Sequence, residues 1–85
     1  MADYIPPPRL PVGIPNLHAA RPKTPVSKGG GLRKRWKDHR GNIYEWDYQH
    51  GTIEKYNRRG IHLGEFNPDT GQMLKSANRS RSVVP

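Results

Sequence analysis

No cysteine occurs in the chain, which excludes disulfide cross-links, thiolate nucleophiles and thiolate metal sites, and leaves the redox compartment unmarked. Long apolar runs are missing too. Nothing approaches the roughly 18 residues that a bilayer-spanning helix requires, so no membrane insertion is expected, and the Met-Ala-Asp start carries no apolar stretch of the signal-peptide kind. Hydrophobic residues make up only 32% of the 85, too few for every segment to pack, and the length sets one domain with a small core. Acidic residues are scarce, seven against fifteen Lys and Arg. The four histidines, His18, His39, His50 and His62, show no metal-ligand spacing, so neither a metal nor another cofactor is expected.

What is present is basic and unevenly so. Residues 1–31 carry four bases and one acid, residues 32–40 five bases and one acid, residues 41–75 four bases and five acids, and the last ten residues two bases. A near-neutral segment with basic flanks suits a polyanion partner. Seven of the nine prolines fall within residues 1–31, which end in "SKGGG". Proline at this density removes backbone donors and favours extended chain. This part reads as an irregular Pro/Gly-rich arm, with room for one short helical turn near Asn16–Ala20.

From Leu32 to residue 85 the signals are those of a β-sheet domain. "RKRWKD", "NIYEWDYQ", "TIEKYN", "IHLGEF" and "QMLK" are short and rich in β-branched and aromatic residues, and glycine-bearing turns separate them. Five such strands with short connections predict an all-β fold, a small, highly twisted antiparallel meander. Alternation places Tyr44, Trp46 and Tyr48 on one face and Ile43, Glu45 and Asp47 on the other.

The stretch "YEWDYQHGTIEKY", residues 44–56, gathers carboxylates around one imidazole inside this basic chain. With His50 and Gly51 at the centre of a two-residue turn, Asp47 would face Glu54 across the hairpin, their Cβ atoms about 4.5–5.5 Å apart. Opposed carboxylates repel, and a cation between them (protonated His50 or an arginine) would relieve the cost. RNA suits such a group. Its 2′-hydroxyl is a built-in nucleophile, so cleavage needs only a base, an acid and a cation at the phosphate. DNA would need a hydrolytic water, usually metal-activated.

"GGGLRKRW", "IYEWDYQHG", "IEKY", "HLGEFNPDTG" and "LK", in this order, resemble the C-terminal cytotoxic domain of the ribosome-cleaving E-group colicins and cloacin. The resemblance runs from about Pro22 to Arg81. It implies a toxin endoribonuclease that cuts small-subunit ribosomal RNA at the decoding centre without metal, on a twisted meander preceded by a short helix. It implies Asp47, His50, Glu54 and Arg81 as catalytic residues, with Arg79 an alternative to Arg81, and Tyr44 and Lys75 as site residues. Glu54 is then the base, His50 the acid kept charged by its carboxylate neighbours, and Arg81 the group at the phosphorane. Arg33, Lys34, Arg35, Lys37 and Arg40 form a basic run suited to the RNA backbone. The implied partners are the ribosome and an acidic immunity protein, and the implied setting is a larger toxin released by its producer to act in the target-cell cytoplasm. The chain departs from the family pattern at Thr52, where the family has a further acid, at Tyr48, and in a shorter "NRRG" turn. The competing reading is a non-catalytic, ribosome-associated RNA-binding module stacking bases on Trp36, Tyr44, Trp46 and Tyr48.

Overall fold

The structure, a computed structural model, describes residues 4–27 and 29–85. The first three residues of the arm and Lys28 of its "SKGGG" end lie outside them. Six strands follow in chain order: β1 (His18–Ala20), β2 (Arg35–Lys37), β3 (Ile43–Asp47), β4 (Thr52–Tyr56), β5 (His62–Phe66) and β6 (Met73–Ser76). They form one antiparallel sheet in the order β1-β2-β3-β4-β5-β6, a simple meander. Among the described residues there is no helix.

The expected helical turn near Asn16–Ala20 is therefore corrected. Asn16 takes a left-handed φ of 66°, and His18–Ala20 pair with Lys37–Arg35 as a sixth strand. The free edge of β2 offers unpaired backbone groups, and pairing with them outweighs a weak local preference for helix.

Each face of the sheet has its own covering. Trp36, Tyr44, Trp46 and Ile53 form the core of one face, with Ile14, Leu17, Tyr48 and Phe66 packed against them. The arm crosses this face and satisfies its polar atoms. The indole N–H of Trp36 donates to the Arg9 carbonyl (3.1 Å) and that of Trp46 to the Ile5 carbonyl (2.7 Å). Gly13 lies so close to the β5–β6 turn that a Cβ there would stand 2.5 Å from the Asp69 and Gly71 backbone, so no side chain fits. The arm thus closes the aromatic layer that a sheet this small could not bury alone.

The other face is polar although buried. Register places Arg35 opposite Glu45, Glu45 opposite Glu54, Glu54 opposite Glu65, and Glu65 opposite Lys75. Three carboxylates in a row are thus closed by a cation at each end. The tail returns to this side through an Ile61–Ser82 bridge and a His62 N–H to Arg81 carbonyl bond of 3.1 Å.

Candidate active site

The β3–β4 connection differs from the expected two-residue turn. It is a four-residue loop, Tyr48–Gly51, and Asp47 pairs with Thr52 rather than with Glu54. The carboxylate of Asp47 is the reason. Its Oδ1 accepts the N–H groups of Gln49 (2.9 Å) and His50 (3.1 Å), and its Oδ2 lies 2.8 Å from His50 Nδ1. An aspartate that caps its own loop in this way stabilises a longer turn than two glycine-like residues would. Like-charge opposition falls instead on Glu45 and Glu54, and arginine, not His50, relieves it.

Asp47 and His50 form the outer pair of the site. The imidazole is 56% exposed while the carboxylate is 11% exposed, so the ring stands at the surface on a fixed base. Among the described residues its Nε2 has no hydrogen-bond partner, which leaves that nitrogen facing whatever binds. Burial pushes the Asp47 carboxyl up, but the bonds from the His50 ring and from the backbone outweigh it and hold the group below its ordinary range. A depressed carboxyl contributes stability above its unfolded value, near 3.8, and that contribution is lost as pH falls through the folded value. Asp47→Asn is therefore expected to be less stable than the parent at neutral pH, with a deficit that shrinks below about pH 4. Urea unfolding at pH 7 and pH 3 checks this; an unchanged deficit would mean that the ionised carboxylate does not hold the loop.

Glu54 is the inner group, 3% exposed. Its Oε1 takes the His62 Nε2 at 2.7 Å and the Arg81 Nη1 at 3.3 Å. His62 Nδ1 accepts the Asn78 N–H (2.9 Å), so the ring proton sits on Nε2 and points at Glu54. Among the described residues Oε2 of Glu54 is left without a hydrogen-bond partner. Arg81 also reaches the Tyr56 hydroxyl at 3.3 Å, and Tyr56 stacks edge-on against His62 with centroids 5.3 Å apart. Burial raises the Tyr56 phenol, reinforced by Glu45 and Glu54 and opposed by Arg81 and Arg33, so the hydroxyl keeps its proton.

His62 is the site residue that alternation hides. Three positions separate it from Glu65, which would put the two on opposite faces of a regular strand. A register shift opposite Lys55 and Tyr56 turns His62 onto the face of Glu54. Glycine after Leu63 is the available hint, since an interior glycine often marks a bulge.

The structure separates the basic candidates. Arg81, 42% exposed, lies beside Glu54, whereas Arg79 is exposed and bonded to no acid among the described residues. Arg33 lines a small cavity of about 70 Å³ with Asp47, Tyr48 and Gln49. Lys34 lies over the Trp36 ring on the other face, 5.9 Å from its centroid. Lys37 is half-buried, Arg40 sits at the far turn, and Lys75, 71% exposed, stands 3.9 Å from Glu65.

Two candidates are corrected. Arg35 is 1% exposed and binds Glu45 Oε2 through Nε (3.0 Å) and Nη2 (2.6 Å), so it is a structural cation and does not face an RNA backbone. Tyr44 is 5% exposed on the aromatic face and gives its hydroxyl to Asp38 (2.9 Å). Trp36 and Trp46 are likewise buried, which leaves Tyr48 as the one partly open ring of the four proposed for base stacking.

Fold and site together define a class: a small twisted β-meander with an acid–imidazole pair on one loop and a carboxylate–arginine pair beside it on the same face. The chain belongs to the Cytotoxic family, whose model matches residues 5–84. It is 46% identical to colicin E3, 45% to colicin-E6 and 44% to cloacin, all from Escherichia coli, each over 95% of this chain. The chain spans 15% of the length of these relatives, so it corresponds to one domain of such a protein. It is a cytotoxic domain of the bacteriocin kind.

Proposed function

We propose that this domain is a metal-independent endoribonuclease that cleaves small-subunit (16S) ribosomal RNA at the decoding centre and so stops translation. The observation that supports this most is the pairing of Glu54 with Arg81 beside the Asp47–His50 pair. Asp47 and Thr52 pair one step, about 7 Å, along the hairpin from Glu54 on the same face. A phosphodiester laid across that gap meets both groups.

The chemistry follows from the free atoms. Glu54 takes the proton of the ribose 2′-hydroxyl, and the 2′-oxygen attacks phosphorus. The 2′-O–P bond forms as the P–O5′ bond breaks, and His50 Nε2 delivers a proton to the departing 5′-oxygen. The products are a 2′,3′-cyclic phosphate and a 5′-hydroxyl. Arg81 neutralises charge on the phosphorane, His62 and Tyr56 hold Glu54 and Arg81 in place, and Asp47 orients the imidazole. Glu54 must be ionised while His50 is protonated, so the rate passes through a maximum with pH. Exposed bases around the site, Arg33, Lys75 and Arg79 among them, hold the RNA backbone. Within a larger toxin released by the producer, the domain acts in the target-cell cytoplasm, and an acidic immunity protein covers its positive rim in the producer.

Incubation with intact bacterial ribosomes, followed by gel analysis of the RNA, tests this reading. A discrete cut in small-subunit RNA is expected without divalent ion beyond that which keeps the ribosome assembled. Ribosomes uncut at every concentration would overturn the enzyme reading, and so would chelator-abolished cutting of ribosomes shown to be intact.

A further inference from the structure

The sheet carries two near-identical turns side by side at the end opposite His50. "DHRGN" (residues 38–42) joins β2 to β3, and "NRRGI" (residues 57–61) joins β4 to β5. In each, the first side chain caps the turn. Asp38 Oδ1 accepts the N–H groups of Arg40 (2.9 Å) and Asn42 (3.0 Å), and Asn57 Oδ1 accepts those of Arg59 (2.9 Å) and Ile61 (3.0 Å). Each has a left-handed glycine at the fourth position, Gly41 at φ 84° and Gly60 at φ 85°. The turns touch, since a Cβ on Gly41 would lie 3.2 Å from the Cβ of Arg58.

This packing gathers Arg40, Arg58 and Arg59 around one open groove of about 500 Å³, completed by Asn42 and Asn57. All three arginines are exposed, and none forms an ion pair among the described residues. Asp38, the sole acid of the two turns, is consumed within its own turn, because its Oδ2 accepts the Asn42 amide (3.0 Å) and the Tyr44 hydroxyl (2.9 Å). Three guanidinium groups on rigid, capped turns would repel one another without an anion between them. The groove has no apolar or aromatic lining residue, so it lacks the apolar centre typical of a protein interface and offers only charge and amide groups. Guanidinium forks match phosphate oxygens.

Resting on the ribonuclease reading, we propose that this groove is a second RNA-backbone site, holding phosphates of the substrate several nucleotides from the scissile bond. The length of β3 separates it from the catalytic loop by roughly 15 Å, at about 3.3 Å per residue. It therefore grips a folded ribosomal RNA and takes no part in the chemistry.

The test is Arg40→Ala/Arg58→Ala/Arg59→Ala in the full chain, assayed on intact bacterial ribosomes across a salt series. Expected are an unchanged kcat, a KM raised about 10-fold or more near physiological salt, and a slope of log(kcat/KM) against log[salt] flatter by about 2, at roughly 0.7 for each phosphate no longer neutralised. Unchanged KM and slope would overturn the proposal. Abolished binding to poly-L-glutamate with unchanged ribosome kinetics would also overturn it, by assigning the groove to an acidic protein. Should the parent chain leave intact ribosomes uncut, the ribonuclease reading fails. Filter binding of ribosomes then judges the groove separately, and an unaltered salt slope in the variant overturns it.

Discussion

Glu54→Gln lowers the single-turnover rate of ribosomal RNA cleavage by about 10²–10⁴-fold while leaving ribosome binding intact, the usual worth of a general base. The amide keeps the shape of the carboxylate, and its oxygen still accepts from His62 Nε2 and Arg81 Nη1, so the fold and the neighbours stay in place. What disappears is the capacity to take a proton at Oε2. His50→Ala loses a similar factor by removing the acid, yet costs little stability, because the ring is 56% exposed. A rate in Glu54→Gln equal to the parent's would put the base elsewhere. Glu45 is then unavailable, because it is fully buried and held by Arg35 and Thr24. Glu65, directly across from Glu54 and 7% exposed, would be the group to test next.

Arg35→Ala lowers folding stability by about 3–5 kcal/mol, the typical cost of breaking a buried ion pair by removing one partner. Both side chains are 0% exposed, so solvent screens neither charge. Glu45 Oε2 already accepts Thr24 Oγ1 at 2.6 Å as well as two Arg35 nitrogens, while Glu45 Oε1 and Arg35 Nη1 have no partner among the described residues. The pair is thus incompletely satisfied, and without its cation the Glu45 charge is stranded opposite Glu54. A total stability of about 5–15 kcal/mol leaves little margin. Arg35→Met/Glu45→Leu recovers most of the loss, since a buried pair is commonly replaceable by apolar side chains of similar volume. Urea denaturation of parent, single and double variants measures this. A single-variant loss below about 1 kcal/mol, in the range of an exposed pair, would show that the pair does not bear on stability.

The two variants probe one polar strip for different properties. Arg35 and Glu45 occupy the closed end, where no surface remains to meet RNA. Glu54 and Arg81 lie at the centre of the strip, beside the loop on which His50 stands exposed to solvent. The register that aligns Glu45, Glu54 and Glu65 makes the strip costly, and the cations at its ends and centre make it tolerable.

The chain's own residues determined the meander, its short turns and its aromatic layer, because these depend on local chemistry: alternation in "IYEWD", glycine-bearing turns, and the scarcity of helix-period segments. The acid–histidine character of residues 47–54 was legible for the same reason, since it needs only residue types close in the chain. Three features were not legible, and each depends on partners distant in sequence. The strand at His18–Ala20 exists because β2 has a free edge to pair with. Glu54 meets His62 and Arg81 because a bulge, hinted at only by Gly64, turns one strand, and because the tail folds back onto it, for which there is no local signal. Arg35 and Tyr44, plausible RNA-binding residues by composition, lie inside because register sets Arg35 against Glu45 and the arm covers the face that holds Tyr44. Burial is a property of what packs on a residue, and only the tertiary structure decides that.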